Sequence, residues 1–72
     1  MILNERLKKL RAVKNVTQQR VADELGVTVG NVQKFEYGTA RPKLDNVIKI
    51  ADFFNVSIDY LVGRTDNPQI SR

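Results

Sequence analysis

The chain has 72 residues and a formal net charge of +4, and it contains neither cysteine nor histidine. A chain of this length folds as one small domain with a modest core and has no room for an enclosed cavity. The absence of cysteine and histidine excludes a disulfide framework and a zinc finger, so we expect neither a metal nor another cofactor. The basic excess suits a polyanionic partner, but it also suits ordinary solubility.

The distribution of apolar residues predicts a cytoplasmic, helical protein. Apolar runs are only a few residues long, and the segment MILNERLKKLR becomes charged too early for a secretory signal. We therefore expect no membrane partner. Leucines, valines and isoleucines recur at spacings of three and four, and glycine and proline are sparse, which favours an all-α fold.

The first two predicted helices are separated by a break at residues 14–16. The inward face of the first helix carries Leu3, Leu7 and Leu10. Thr17 offers a hydroxyl group to cap the second helix, and Gly26 ends it because glycine adopts the left-handed conformation without steric cost. The inward residues of the second helix are Val21, Ala22 and Leu25.

A third helix follows the tight turn at residues 25–27 and is capped by Thr28. Its inward face carries Val32, Phe35 and Glu36. Its outward face carries Gly30, Gln33, Lys34 and Tyr37. These outward residues have no core to face and are left for a ligand. Gly38 ends the helix, and Pro42 marks a connector to the next one.

Two further helices bring the predicted number to five. The fourth covers residues 44–54, and its expected inward residues are Leu44, Val47, Ile48, Ala51 and Phe54. Ser57 caps a short fifth helix that ends at Gly63. We place the folded domain at residues 1–63 and expect the aperiodic segment 64–72 to be a flexible tail.

The landmarks of this chain, taken together and in order, resemble one family. They are Thr17-Gln18, Val21-Ala22, Leu25-Gly26-Val27, Glu36, Gly38, Pro42 and the run IADFFNVSIDYLVG. Over residues 3–63 the sequence is similar to the Cro and lambda-repressor family of bacterial and phage regulators, also called the Xre family. The resemblance implies a compact five-helix fold with a helix-turn-helix at residues 17–37. It also implies non-enzymatic binding of double-stranded DNA by a homodimer on an inverted-repeat operator.

In the family that this sequence resembles, outward residues of the third helix read base edges. The matching positions hold Val29, Gly30, Asn31, Gln33 and Lys34. Asn31 and Gln33 offer a paired donor and acceptor to adenine, and Lys34 donates to guanine. Val29 either contacts a thymine methyl group or packs against the second helix. Gly30 either permits close approach to the bases or is an unselected surface position, and the polar residues are alternatively a solvated face.

A second set of residues is expected to contact DNA phosphates. By resemblance and position they are Gln18, Arg20, Tyr37, Thr39, Arg41 and Lys43. Gln18 lies in the first turn of the second helix, where the helix N-terminus favours an anion. Family members often have glutamate where this chain has Arg20, so we expect Arg20 to serve a phosphate or a neighbouring carboxylate. The residues after the third helix are alternatively solvated loop residues.

Five residues are expected to have structural roles. Arg11 and Glu36 match positions at which the family has an ion pair, and we interpret them as such a pair rather than as a site of chemistry. The resemblance assigns the dimer surface to Phe53, Val56 and Tyr60. Ordinary core packing explains Phe53 nearly as well.

The sequence thus predicts a sequence-specific repressor without catalytic residues. An operon autoregulator, a restriction-system controller, an antitoxin and a domain of a longer repressor all remain open. A function of another class is a protein-interaction adaptor or antitoxin-type module with the same fold, but the polar third helix lacks the apolar anchors of protein interfaces. RNA is disfavoured because the A-form major groove is too narrow for a helix.

Overall fold

The computed structural model describes residues 2–70, which contain five helices and no strand. The helices are α1 (Ile2–Lys14), α2 (Gln18–Leu25), α3 (Val29–Tyr37), α4 (Leu44–Phe54) and α5 (Ile58–Leu61). The predicted all-α fold and the order of its helices are confirmed. Met1, Ser71 and Arg72, which belong to the predicted domain and tail, lie outside the described residues.

Hydroxyl caps start three of the helices where the sequence predicts them. The side chains of Thr17, Thr28 and Ser57 each accept a hydrogen bond from the backbone N–H three residues further on, at 3.0 to 3.2 Å. Each cap satisfies a donor that has no partner within the helix, and such a cap stabilises a helix by about 1 kcal/mol. Local sequence therefore fixes where α2, α3 and α5 begin.

Residues in the left-handed conformation end four helices. Gly26 and Gly38 follow α2 and α3 with φ of 69° and 82°. Asn15 and Asn55 follow α1 and α4, both with φ of 56°. Asparagine is one of the few other residues that visits this conformation routinely, because its short polar side chain bonds locally. The asparagines thus end helices where the chain has no glycine.

The core contains residues from all five helices. Its buried apolar side chains are Leu3, Leu7, Leu10, Val21, Ala22, Leu25, Val32, Phe35, Val47, Ile50, Ala51, Phe54, Val56, Tyr60 and Leu61. Those of the first three helices are the predicted ones, since each helix there has one apolar stripe. Burial of these side chains holds α2 and α3 in a fixed relation to α1 and α4.

The inward face of α4 differs from the prediction. Leu44 and Ile48 were expected inside, but they are 70% and 39% exposed, whereas Ile50 is only 1% exposed. The buried set follows the spacing i, i+3, i+4, i+7 from Val47. The apolar stripe on α4 is wider than the surface that the other helices cover. Periodicity alone therefore could not predict which of its apolar residues are buried.

The segment after α5, which the sequence predicts to be a flexible tail, contacts the helices where it is described. Arg6 of α1 donates through Nη1 to the carbonyl of Thr65 at 2.5 Å and through Nη2 to the carboxylate of Asp66 at 2.7 Å. The N–H of Ser57 donates to the carbonyl of Pro68 at 2.9 Å. These contacts attach residues 64–70 to the helices, although the segment itself has no periodic pattern.

None of the helices within residues 2–70 is long and apolar enough to span a membrane.

Candidate nucleic-acid interface

The pair α2 and α3 forms a helix-turn-helix. The turn begins at Gly26, and the N–H of Val27 donates to the carbonyl of Ala22 at 3.0 Å. The Val27 side chain is half-buried against the core. Because the turn is closed by backbone hydrogen bonds and by an apolar anchor, α3 is held rigidly with its outward face exposed.

The predicted base-reading residues fall into two groups. Asn31, Gln33 and Lys34 have exposed side chains on one surface of α3. Val29 is half-buried and packs against the core, which favours the structural alternative for this residue. At Gly30, a Cβ would meet only the Thr28 hydroxyl within 4 Å, at 3.8 Å. The free protein therefore has no steric need for glycine at that position.

A polar cleft of about 330 Å³ lies beside α3, between it, α1 and the start of α2. Its lining residues are Lys8, Arg11, Gln18, Gln33, Glu36 and Tyr37. Lys8 was not among the predicted site residues, because on the sequence it is one of several charged residues on the outer face of α1. Its spacing of three from Arg11 was the available indication that both share one side of the helix.

Arg11 and Glu36 form an ion pair at the base of this cleft. Arg11 Nε donates to Glu36 Oε2 at 2.5 Å, and its Nη2 donates to Oε1 at 3.0 Å. Burial by itself would raise the pKa of Glu36, but hydrogen bonds from Arg11 and Gln18 and the charges of Arg11 and Lys8 hold it below its usual value. The carboxylate is therefore ionised and acts only as an acceptor.

Gln18 connects this pair to the outward face of α3. Its Nε2 donates to Glu36 Oε1 at 3.0 Å, and its Oε1 accepts from Gln33 Nε2 at 3.4 Å. Gln18 is half-buried and Gln33 is exposed. A chain of hydrogen bonds thus runs from the buried ion pair to the solvent-facing surface of the helix.

Arg20 lies on a different flank of α2. Its Nη2 is 3.2 Å from the Glu24 carboxylate one turn along the helix. Its guanidinium carbon is 5.5 Å from the ring centroid of Phe53 on α4. Of the two roles expected for Arg20, the structure shows the neighbouring carboxylate, and the contact with the aromatic ring was not foreseen.

The last residue of α3 and the segment after it expose the remaining predicted phosphate contacts. The exposed residues are Tyr37, Thr39, Arg41 and Lys43. The hydroxyl of Thr39 donates to the carbonyl of Lys34 at 3.4 Å, and the N–H of Thr39 donates to the same carbonyl at 3.1 Å. Thr39 therefore shapes the turn, while the cations of Arg41 and Lys43 face solvent.

The expected dimer residues are placed differently from the prediction. Val56 and Tyr60 belong to the core, at 7% and 8% exposure, which corrects the expectation that they form a surface for a partner. Phe53 is half-buried, with its ring edge-to-face against Phe54 at 5.0 Å between centroids. Tyr60 turns inward because Arg6 covers its ring, a contact between distant residues that no local pattern reveals.

Exposed apolar residues on α4, at the start of α5 and directly after α5 form a surface that was missed from the sequence. They are Leu44, Ile48, Ile58 and Val62, here called the α4–α5 apolar surface. Leu44 and Ile48 are spaced by four residues, which places them on one side of α4. Ile58 begins α5, and Val62 directly follows its last residue. The sequence indicates this spacing, but it does not show which apolar face stays outside.

A family model described as helix-turn-helix matches residues 7–61. The chain belongs to the Xre family of helix-turn-helix transcriptional regulators. Among its relatives, the transcriptional repressor RstR of the cryptic phage CTXphi from Vibrio cholerae is 42% identical in an alignment of 71 residues that covers 96% of this chain. The SPbeta prophage-derived regulator YonR of Bacillus subtilis is 42% identical over 64 residues, or 89% of this chain. This Xre-family chain spans 63% and 59% of the lengths of these two relatives.

Solved structures agree with the family assignment. A transcriptional regulator from Listeria innocua has a TM-score of 0.82 and 30% identity, covering 85% of this chain and 57% of the regulator. The P22 c2 repressor, solved in complex with a synthetic operator, has a TM-score of 0.78 and 21% identity, covering 85% of this chain and 92% of the repressor. At that identity the second likeness shows the shared fold alone.

Proposed function

We propose that this Xre-family chain binds double-stranded DNA sequence-specifically in the cytoplasm and represses transcription by occupying an operator. The observation that carries the proposal is the exposed polar surface of α3, made by Asn31, Gln33 and Lys34. Lys8 lines the cleft beside this surface, and the connector after α3 exposes two further cations. Its relative RstR is a repressor, and the P22 c2 repressor of the same fold was solved on an operator. The DNA-binding unit comprises residues 1–63, with the helix-turn-helix at 17–37.

Base reading falls to the exposed part of α3. Amide side chains at Asn31 and Gln33 match the paired donor and acceptor of adenine, and the Lys34 ammonium matches the acceptors of guanine. Gly30 contributes by letting α3 approach the base edges closely. Val29 has the smallest part, because much of its side chain is already used against the core.

Phosphate contacts flank α3 on two sides. Lys8 and Gln18 line the cleft on one side, together with Tyr37. Arg41 and Lys43 are exposed on the connector after Gly38. Arg20 and Thr39 complete the predicted set, although both already have partners within the chain. Cations and polar groups in these places fix the register of α3 without reading sequence.

A homodimer forms through the α4–α5 apolar surface. Exposed apolar side chains on α4, on α5 and directly after α5 favour association, because water is removed from them in the interface. Ile58 also lines a shallow depression with Ala51, so α5 adjoins α4 at this depression. A two-fold dimer places two copies of α3 on successive major grooves, about one helical turn apart, and so requires an inverted-repeat operator.

Selection from random-sequence duplex DNA at physiological salt tests the proposed function. We expect enrichment of an inverted repeat, and a labelled duplex carrying it should be displaced by the same DNA but not by RNA of that sequence. Enrichment of no motif would refute specific repression. It would favour an adaptor role, for which the exposed face of α3 offers little apolar anchorage beyond Tyr37.

A further inference from the structure

The Glu36 carboxylate is buried and serves as a hydrogen-bond acceptor for its neighbours. Its side chain is 5% exposed and is ion-paired with Arg11. A carboxylate only accepts hydrogen bonds, so any amide group that contacts Glu36 must present its NH₂ end to it. The contact of Gln18 with Glu36 Oε1 at 3.0 Å is therefore made by Nε2, and this assignment follows from charge.

The orientation of Gln18 then determines the orientation of Gln33. With Nε2 of Gln18 directed at Glu36, its Oε1 is the end that faces Gln33. An acceptor in that place requires a donor from its neighbour, and Gln33 supplies one through Nε2 at 3.4 Å. The carbonyl oxygen of Gln33 is consequently the end of the amide that points away from Gln18.

We propose that Glu36, acting through Gln18, is a positioning residue that turns the carbonyl oxygen of Gln33 toward DNA. Gln33 then selects a base that donates from an exocyclic amino group in the major groove, which is adenine through N6 or cytosine through N4. This inference rests on the proposed function and adds to it a base preference. Without the connection to Glu36, an exposed glutamine presents either end of its amide equally.

Variants at three positions separate the parts of this arrangement. Gln33→Ala identifies the base pair that Gln33 contacts, because the preference at that pair alone is lost. Gln18→Leu removes the contact that orients Gln33 while keeping a side chain of similar length. Gln33→Glu replaces the amide by an acceptor that needs no orientation. Gln19→Leu is the matched control, since Gln19 is the neighbouring amide and donates to Asp23 of its own helix.

The experiment selects random-sequence duplex DNA with each variant and compares base frequencies position by position, with thermal melting of each protein alongside. We expect the wild-type protein to prefer an amino-bearing base at the Gln33 position by about tenfold. Gln18→Leu should reduce that preference to about threefold or less. It should weaken binding uniformly elsewhere, because a phosphate contact is lost as well. Gln33→Glu should keep the preference, and Gln19→Leu should change nothing.

Three results would overturn the inference while leaving the proposed function intact. They are a preference for guanine or thymine at the Gln33 position, an unchanged preference in Gln18→Leu, and a motif that Gln33→Ala does not alter. If the wild-type protein selects no motif, the proposed function fails, and the inference fails with it.

Discussion

The guanidinium carbon of Arg6 lies 4.2 Å from the centroid of the Tyr60 ring, so a charged residue of α1 covers an aromatic residue of α5. The same guanidinium donates to the backbone carbonyls of Tyr60 and Thr65. Three separate parts of the chain, α1, α5 and the segment after it, thus meet at one side chain. Arg6 is in this way the residue that attaches the C-terminal segment to the domain.

Arg6→Ala should therefore destabilise the protein and release residues 64–70. We expect a loss of about 2 kcal/mol, because a cation–π contact disappears and two carbonyls lose their donor. Hydrogen exchange at the Ser57 N–H, which bonds to Pro68 in the intact protein, should become faster. Lys49→Ala, an exposed residue on α4 beside Glu24 and Phe53, serves as control. Unchanged exchange at Ser57 would show that Arg6 does not hold the segment.

The Arg11–Glu36 pair predicts a second loss of stability. Glu36→Gln keeps the size of the side chain but leaves Arg11 without its carboxylate. We expect the free energy of unfolding in denaturant to fall by about 2–3 kcal/mol at pH 7. Glu24→Gln is the comparison, because that carboxylate pairs with Arg20 at the surface, where such pairs contribute about 0–1 kcal/mol. Equal effects of the two variants would contradict the structural role of Glu36.

The same pair predicts how stability depends on pH. The pKa of Glu36 is lowered in the folded protein from the ordinary value of 4.5, so the unfolded state binds the proton more readily. The contribution of the pair is therefore present above pH 4.5 and is lost as the pH falls through the folded pKa. Unfolding measured between pH 7 and pH 2 should show a shallower loss in Glu36→Gln than in the wild-type protein.

Gly30→Ala is expected to separate stability from DNA binding. Glycine within a helix costs about 1 kcal/mol relative to alanine, and the added methyl group meets only the Thr28 hydroxyl at an ordinary contact distance. The melting temperature should rise by about 4–8 °C. Operator affinity should fall, because the methyl group keeps α3 away from the base edges. Unchanged affinity would identify Gly30 as an unselected surface position.

The α4–α5 apolar surface predicts the oligomeric state. Ile58→Glu introduces a charge into the proposed interface, so sedimentation should show a monomer at concentrations where the wild-type protein is dimeric. Affinity for a two-half-site operator should fall at least tenfold, because the second α3 is no longer held beside the first. Val13→Glu changes another exposed apolar residue, on α1, and should leave both properties unaltered. Dimerisation of Ile58→Glu would place the interface elsewhere.

Lys8 is expected to neutralise one phosphate from its place in the cleft. In Lys8→Ala, the slope of log affinity against log salt should be shallower by about 0.9. The loss should be similar for different DNA sequences, because phosphate contacts carry no base information. Lys49→Ala removes the same charge from α4, at a depression that it shares with Glu24 and Phe53. If both variants change the slope equally, net charge is responsible and not the cleft.

Sequence by itself determined the five helices and most of their ends, although α5 ends at Leu61 and not at the predicted Gly63. Thr17 and Thr28 cap the starts of α2 and α3, because their hydroxyl groups accept hydrogen bonds from backbone N–H groups three residues further on. Gly26 and Gly38 end these helices, because glycine adopts the left-handed conformation that each end requires. The buried residues of α1 to α3 could also be predicted from the sequence, since each of these helices has only one apolar face. The outward residues of α3, and with them most of the candidate site, follow from these local facts together with the family resemblance.

Tertiary structure alone decided which of several acceptable faces is buried. Leu44 and Ile48 stay outside while Ile50 is buried, and Tyr60 turns inward under Arg6. The tertiary structure also decided that Lys8 lines the cleft beside α3. Each of these outcomes depends on how distant segments approach one another, and the hydrophobic effect, which drives that approach, has no direction that a local pattern can encode.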